Sequence, residues 1–109
     1  MKLRTDKKPM LTSKQRAFLR ARANPLETIL QIGRAGVTDA VIAQCGASLD
    51  AHELIKLRVL ENSLLSAAEA AYAIAEGTGA EVVQTIGTRF VLYRANPKLP
   101  AERRIALPK

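Results

Sequence analysis

The sequence predicts an α/β domain in which helices interleave with four strands, in the order α-β-α-β-α-β-β, and cover one face of the sheet. Three observations carry this expectation. Apolar residues recur at helical spacing behind capping residues, other short segments alternate or are rich in β-branched residues, and Gly or Pro stands where one pattern gives way to the next. A chain of 109 residues is enough for one domain, since roughly two-thirds of the unfolded surface can be buried at this size.

The first helix is read from "LTSKQRAFLRARANP". Thr12 or Ser13 can cap it, Leu11, Gln15, Phe18, Leu19 and Arg22 follow one stripe, and Pro25 ends it. Lys14, Arg16 and Arg20 fall off that stripe, with Arg16 and Arg20 one turn apart. "ETILQI" is a short strand with β-branched Thr28, Ile29 and Ile32. After the glycine-containing segment that follows, Thr38 is a plausible N-cap with Asp39 in the first turn and Val37 placed to staple against Ile42; Val41, Cys45 and Leu49 continue the face. Gly46 falls within this helix at a cost of about 1 kcal/mol relative to Ala, and close packing is the one reason the sequence offers for it. "ELIKLRVL" alternates, with Ile55, Leu57 and Val59 on one side and Lys56 and Arg58 on the other. Ser66 and Glu69 form a capping box that opens an alanine-rich helix through Glu76, with Gly77 and Gly79 to terminate it. "AEVVQTIGTRFVLYR" reads as two antiparallel strands joined at Gly87–Thr88, where glycine in the first central position suits a type II′ turn. The last segment, "ANPKLPAERRIALPK", contains three prolines and is expected to be extended, with Ile105 to Leu107 returning as a short edge segment.

Charge narrows the function classes. The net charge is +7, but residues 1–24 alone sum to +7, residues 94–109 to +4, and residues 25–93 to −4. Two basic ends flank an acidic middle, a layout that suits a polyanion-binding surface because steering depends on local potential. Cys45 is the single cysteine and His52 the single histidine, so neither a disulfide framework nor a Cys/His metal cluster can form within one chain, and both residues are expected to be structural. No run approaches the roughly 18 apolar residues of a membrane span, and no hydrophobic stretch follows the basic start as a secretory signal requires, so a cytoplasmic protein is expected. Glu69 and Glu76 lie two turns apart on a solvated helix face rather than as an acid–base pair.

The motif that carries chemistry is "GRAG", residues 33–36, between a strand and a helix N-terminus. It is neither GxxxxGK followed by Ser or Thr nor GxGxxG, which excludes the Walker and dinucleotide loops. A bare strand-to-helix turn would satisfy the spacing. So would a nucleic-acid clamp: Gly33 and Gly36 let a backbone come close, main-chain amides and the helix N-terminus favour phosphate, and Arg34 adds a charge-assisted contact. KH domains hold single-stranded RNA with a GxxG loop on the same physical basis.

Four segments, "LTSKQRAFLRARA", "ILQIGRAGVTDAVI", "SLDAHELIKLRVL" and "VVQTIGTRFVLYR", follow in order over residues 11–94, and together they resemble the CRM (chloroplast RNA splicing and ribosome maturation) domain family, in particular its stand-alone bacterial YhbY-type members. The resemblance implies an RNA-binding domain over residues 11–94, which leaves the basic ends as an arm over residues 1–10 and a proline-containing tail over 95–109. It further implies a four-stranded mixed sheet with helices on one face, similar to the C-terminal domain of translation initiation factor three, and association with ribosomal RNA in precursors of the large ribosomal subunit. The family loop usually carries lysine where this chain has Arg34; charge is kept but the guanidinium is a planar fork.

The residues expected to meet RNA are Gly33, Arg34, Ala35 and Gly36 in the loop, Lys14, Arg16 and Arg20 on the first helix, and Lys56 and Arg58 on the second strand, with Arg89 and Arg94 as weaker candidates. The four aromatic residues are Phe18, Tyr72, Phe90 and Tyr93, and Phe18 and Phe90 read as core, so recognition should lean on shape and backbone rather than base stacking. A second class of function, a module docking on ribosomal proteins or another acidic partner, would use the same basic surface. An enzyme is not expected, because no nucleophile with a plausible base and no cofactor fingerprint is present. Neither a cofactor, a metal, a small-molecule substrate nor a membrane is expected as a partner, and the oligomeric state is not legible.

Overall fold

A computed structural model describes residues 11–109; the expected basic arm, residues 1–10, lies outside the described residues. The elements are α1 (Ser13–Ala23), β1 (Thr28–Ile32), α2 (Asp39–His52), β2 (Leu54–Val59), α3 (Ala67–Thr78), β3 (Glu81–Ile86) and β4 (Arg89–Tyr93), followed by a single 3-10 turn at Ala101–Arg103. The expected class, strand number and element order are all found. One sheet runs in the order β1-β2-β4-β3, with β1 and β2 parallel and both β2–β4 and β3–β4 antiparallel. The parallel pair follows from the helix between its strands, since a parallel return needs a crossover and α2 supplies it. The β3–β4 hairpin closes through Gly87–Thr88 with Gly87 at φ +58°, the left-handed value that glycine adopts without cost.

Helix starts obey the capping expectations. Thr12, not Ser13, caps α1: its hydroxyl accepts from the Gln15 N–H while the Gln15 side chain accepts from the Thr12 N–H. The same reciprocal box joins Ser66 and Glu69 at α3, and Thr38 alone caps α2 through the Val41 N–H at 3.2 Å. Helix α3 runs past Gly77 to Thr78 and ends on Gly79 at φ +76°.

Alternation along β2 and β4 divides the interior in two. Ile55, Leu57, Phe90 and Leu92 face inward to α2 and α3, joining Cys45, Leu49 and the α3 residues Ala70, Ala71 and Ile74 in the main core. Their neighbours Leu54, Val91 and Tyr93 point to the other face and pack with Leu19 and Ala23 of α1. The expectation that all helices share one face is therefore corrected. Only α2 and α3 do, while α1 covers part of the outer face because Leu54, Val91 and Tyr93 leave apolar surface there that charged side chains would not hide. Each fully buried Leu, Ile or Phe stabilises by roughly 1.5–3 kcal/mol, and both clusters contain such residues, among them Leu49 and Phe90 in one and Leu19 in the other.

Close packing between helices is found at Gly77, not Gly46. A Cβ at Gly77 would stand 2.7 Å from Ile42 Cδ1, whereas one at Gly46 would meet nothing within 4 Å. The C-terminal segment also departs from expectation. Ile105 and Leu107 form no strand; they pack on the outer-face cluster beside α1. The segment is anchored by Glu53, which is 1% exposed and whose carboxylate accepts from the Asn96 N–H at 2.7 Å and the Ile105 N–H at 2.6 Å.

Candidate nucleic-acid interface

Strand β1 ends on buried Ile32, and the chain then turns through Gly33–Gly36, closed by the Gly36 N–H donating to the Gly33 carbonyl at 3.1 Å. Gly36 has φ +74°, so an L side chain there would be strained although the space is open. Arg34 and Ala35 form the exposed tip, and Val37 returns the chain to the main core before Thr38 caps α2. The loop thus presents a cation and main-chain amides beside a helix N-terminus.

A second loop lies against it. The Leu60 N–H donates to the Ile32 carbonyl at 2.8 Å, and a Cβ on Gly33 would stand 3.4 Å from Asn62 Oδ1. This Leu60–Ser66 loop leads into the capped start of α3 and carries Leu64, which is 84% exposed. Both loops leave the carboxyl ends of adjacent parallel strands, where ligands of α/β sheets gather. The sequence reading did not single out Asn62 or Leu64, because their neighbourhood depends on β1 pairing with β2.

The predicted cations separate into three groups. Arg58 of β2 stands directly opposite Arg89 of β4 on the outer face, and Gln31 of β1 flanks Arg58 on the other side. Like charges in register repel, and Arg58 Nε is buried without a hydrogen-bond partner among the described residues, so this pair concentrates positive charge on the outer face. Lys56 lies one pleat further from the loop and donates to the Asn24 carbonyl at 3.2 Å. On α1, Lys14 and Arg20 are exposed, but over the end of the sheet remote from the loop. Arg16 behaves differently. Its guanidinium bonds the Val82 carbonyl, lies 3.4 Å from that of Val83 and pairs with Glu81 at 3.7 Å. The register shift between Val82 and Gln84 turns these carbonyls away from the ladder, and the long Arg16 stem reaches from α1 to them.

Arg94 is likewise committed to the fold, donating to the carbonyls of Thr78 at 2.6 Å and Gly46 at 2.9 Å and pairing with Asp50 at 2.5 Å. It ties the end of α3 to α2. Among the aromatic residues, Phe90 and Tyr93 are buried and Phe18 half-buried, leaving Tyr72 exposed. Tyr93 has its pKa raised, first by burial and then by the nearby Glu53 charge, against a lowering from Arg104. Burial alone pushes the Cys45 thiol up to about 11, which leaves it protonated and inert at neutral pH. His52 is exposed at the end of α2 rather than in the core. No group of three metal-ligating side chains occurs among the described residues.

A capped-helix loop with an exposed arginine, set beside an arginine pair on an open sheet face, defines a small α/β module whose surface suits a polyanion. The model of the CRS1 / YhbY (CRM) domain matches residues 11–94, and the chain belongs to that family. It is 41% identical over 99 residues to the probable RNA-binding protein YqeI of Bacillus subtilis, covering 91% of this chain and 100% of the relative. An RNA-binding protein of Haemophilus influenzae is 36% identical over 99 residues, with 91% and 96% covered. The solution structure of the hypothetical protein SAV1595 from Staphylococcus aureus superposes with a TM-score of 0.73 at 40% identity, covering 91% of this chain and all of that one.

Proposed function

We propose that this protein binds ribosomal RNA in precursors of the large ribosomal subunit and acts there as an assembly factor, holding RNA without chemistry of its own. The observation that carries the reading is the Gly33–Gly36 turn, with Arg34 at its exposed tip and the N-terminus of α2 behind it. Relatives named as RNA-binding proteins support the RNA partner. The ribosomal target rests on the resemblance to stand-alone bacterial members of the family. With Tyr72 as the one exposed aromatic residue among those described, recognition leans on phosphate contacts and on RNA shape.

Crosslinking in cells followed by sequencing of the attached RNA tests this. Large-subunit ribosomal RNA and its precursors should dominate, and Arg34→Ala should deplete them. Recovery of other RNAs in their place would refute the ribosomal assignment. Exposed Leu64 and Ile86 favour a second reading, a module that docks on a ribosomal protein. A partner complex that survives nuclease treatment would support it.

A further inference from the structure

A groove of about 590 Å³ lies on the flank of the sheet between the end of α1, strand β1 and the C-terminal segment. No residue of the Gly33–Gly36 turn lines it. Its apolar lining includes Leu54 and Ile105, and one side carries Leu26 and Ile29, 38% and 46% exposed. Arg22, Lys56 and Arg103 bring positive charge to it against one lining carboxylate, Glu27. Apolar surface edged by cations fits a nucleotide, whose base seeks burial and whose phosphate seeks charge.

The groove does not end there. A hollow of about 480 Å³ shares Leu26, Glu27 and Lys56 with it and reaches Arg89, the cross-strand neighbour of Arg58. Both hollows meet β1 at Thr28 and Ile29, and from Arg89 the cations continue through Arg58 to its neighbour Gln31, near the end of β1 where the Gly33–Gly36 turn begins. At about 3.3 Å per residue, β1 sets the two ends of this path roughly 15 Å apart, too far for one nucleotide and suited to a chain of several. That continuity favours a polyanionic chain over an acidic peptide confined to the groove.

We propose that this groove is a second site for single-stranded RNA, seating nucleotides that flank the segment held at Gly33–Gly36, with bases on Leu26 and Ile29 and phosphates on Arg22, Lys56 and Arg103. The inference rests on the RNA-binding reading above and adds Arg22 and Arg103 to the surface.

The test compares two single-stranded RNAs by fluorescence anisotropy: one of about four nucleotides, the span a GxxG loop clamps in KH domains, and one of about twelve, within the range of extended single-strand sites. R22A/R103A should weaken the longer RNA about tenfold and lower its log–log salt slope by about 1.4, while leaving the shorter RNA unchanged. R22K/R103K should restore most of the loss. Because Arg103 also donates to the Ala51 carbonyl at 3.3 Å, Ile29→Ser provides an independent variant: it should weaken the longer RNA without changing the salt slope. Unchanged affinity for the longer RNA in R22A/R103A and Ile29→Ser overturns the groove as an RNA site and leaves it to a protein partner. Failure of the wild-type chain to bind either single-stranded RNA while it still binds a large-subunit ribosomal RNA fragment also overturns the groove, whereas failure to bind that fragment as well overturns the RNA-binding reading itself.

Discussion

Replacing Glu53 with glutamine probes how the C-terminal segment is held to the domain. The Glu53 carboxylate is buried and accepts two main-chain N–H groups, from Asn96 at 2.7 Å and Ile105 at 2.6 Å, while its own backbone sits at φ +65°. A hydrogen bond to a charged acceptor contributes about 1.5–3 kcal/mol, and a buried N–H left without a partner costs about 1–3 kcal/mol. Glutamine keeps one acceptor oxygen and turns an NH₂ towards the other N–H, so the net loss is about 2–4 kcal/mol. With a urea m-value of about 2 kcal/mol/M, the middle of the range for a small protein, the midpoint of unfolding should fall by about 1–2 M with m unchanged. Trypsin cleavage at Arg103 and Arg104 under native conditions should accelerate in parallel. Glu53→Gly relieves the left-handed strain, worth about 1–2 kcal/mol, but loses both bonds and should still unfold earlier than the native chain. A Glu53→Gln midpoint indistinguishable from the native one would refute the view that this carboxylate anchors the segment.

The two helical glycines should respond in opposite directions. Gly46→Ala meets open space and should raise stability by about 0.5–1 kcal/mol, whereas Gly77→Ala drives a methyl into Ile42 and should lower it by about 1–2 kcal/mol despite better helix propensity, both read from thermal unfolding. Cys45 has a raised native pKa, about 11 against an ordinary 9.0. The unfolded chain therefore loses this proton first as pH rises, and the contribution to stability is full below about pH 9 and lost as pH climbs through about 11. Cys45→Ala should flatten this part of the alkaline stability profile, and the native thiol should resist alkylation at pH 8 until the chain unfolds.

The elements were legible because their signals are local: Thr12, Thr38 and Ser66 each cap a helix, and Gly87 sets a two-residue hairpin. What failed depends on neighbours distant in sequence. Helix α1 reads as amphipathic from its own spacing, but which face it covers is decided by Leu54, Val91 and Tyr93 on two other strands. Arg16 and Arg94 look like free cations in the sequence, and only the sheet register and the end of α3 show which carbonyls claim them. Glu53 carries no pattern at all; its burial follows from a segment that returns more than forty residues later. Within the candidate site, the Gly33–Gly36 turn was readable because glycine spacing reports backbone geometry. The Asn62 loop beside it and the groove beside β1 emerge only once β1 and β2 are paired.

The central claim is that Arg34, at the tip of the glycine turn, meets an RNA phosphate. The most direct test titrates a large-subunit ribosomal RNA fragment with native and Arg34→Ala protein across a salt series. Arg34→Ala should bind more weakly and reduce the log–log salt slope by about 0.7–0.9, the value of one phosphate contact, with thermal stability unchanged. Arg34→Lys should keep the slope. Equal affinity and equal slope for native and Arg34→Ala protein would contradict the account and leave Gly33–Gly36 as a turn between a strand and a helix.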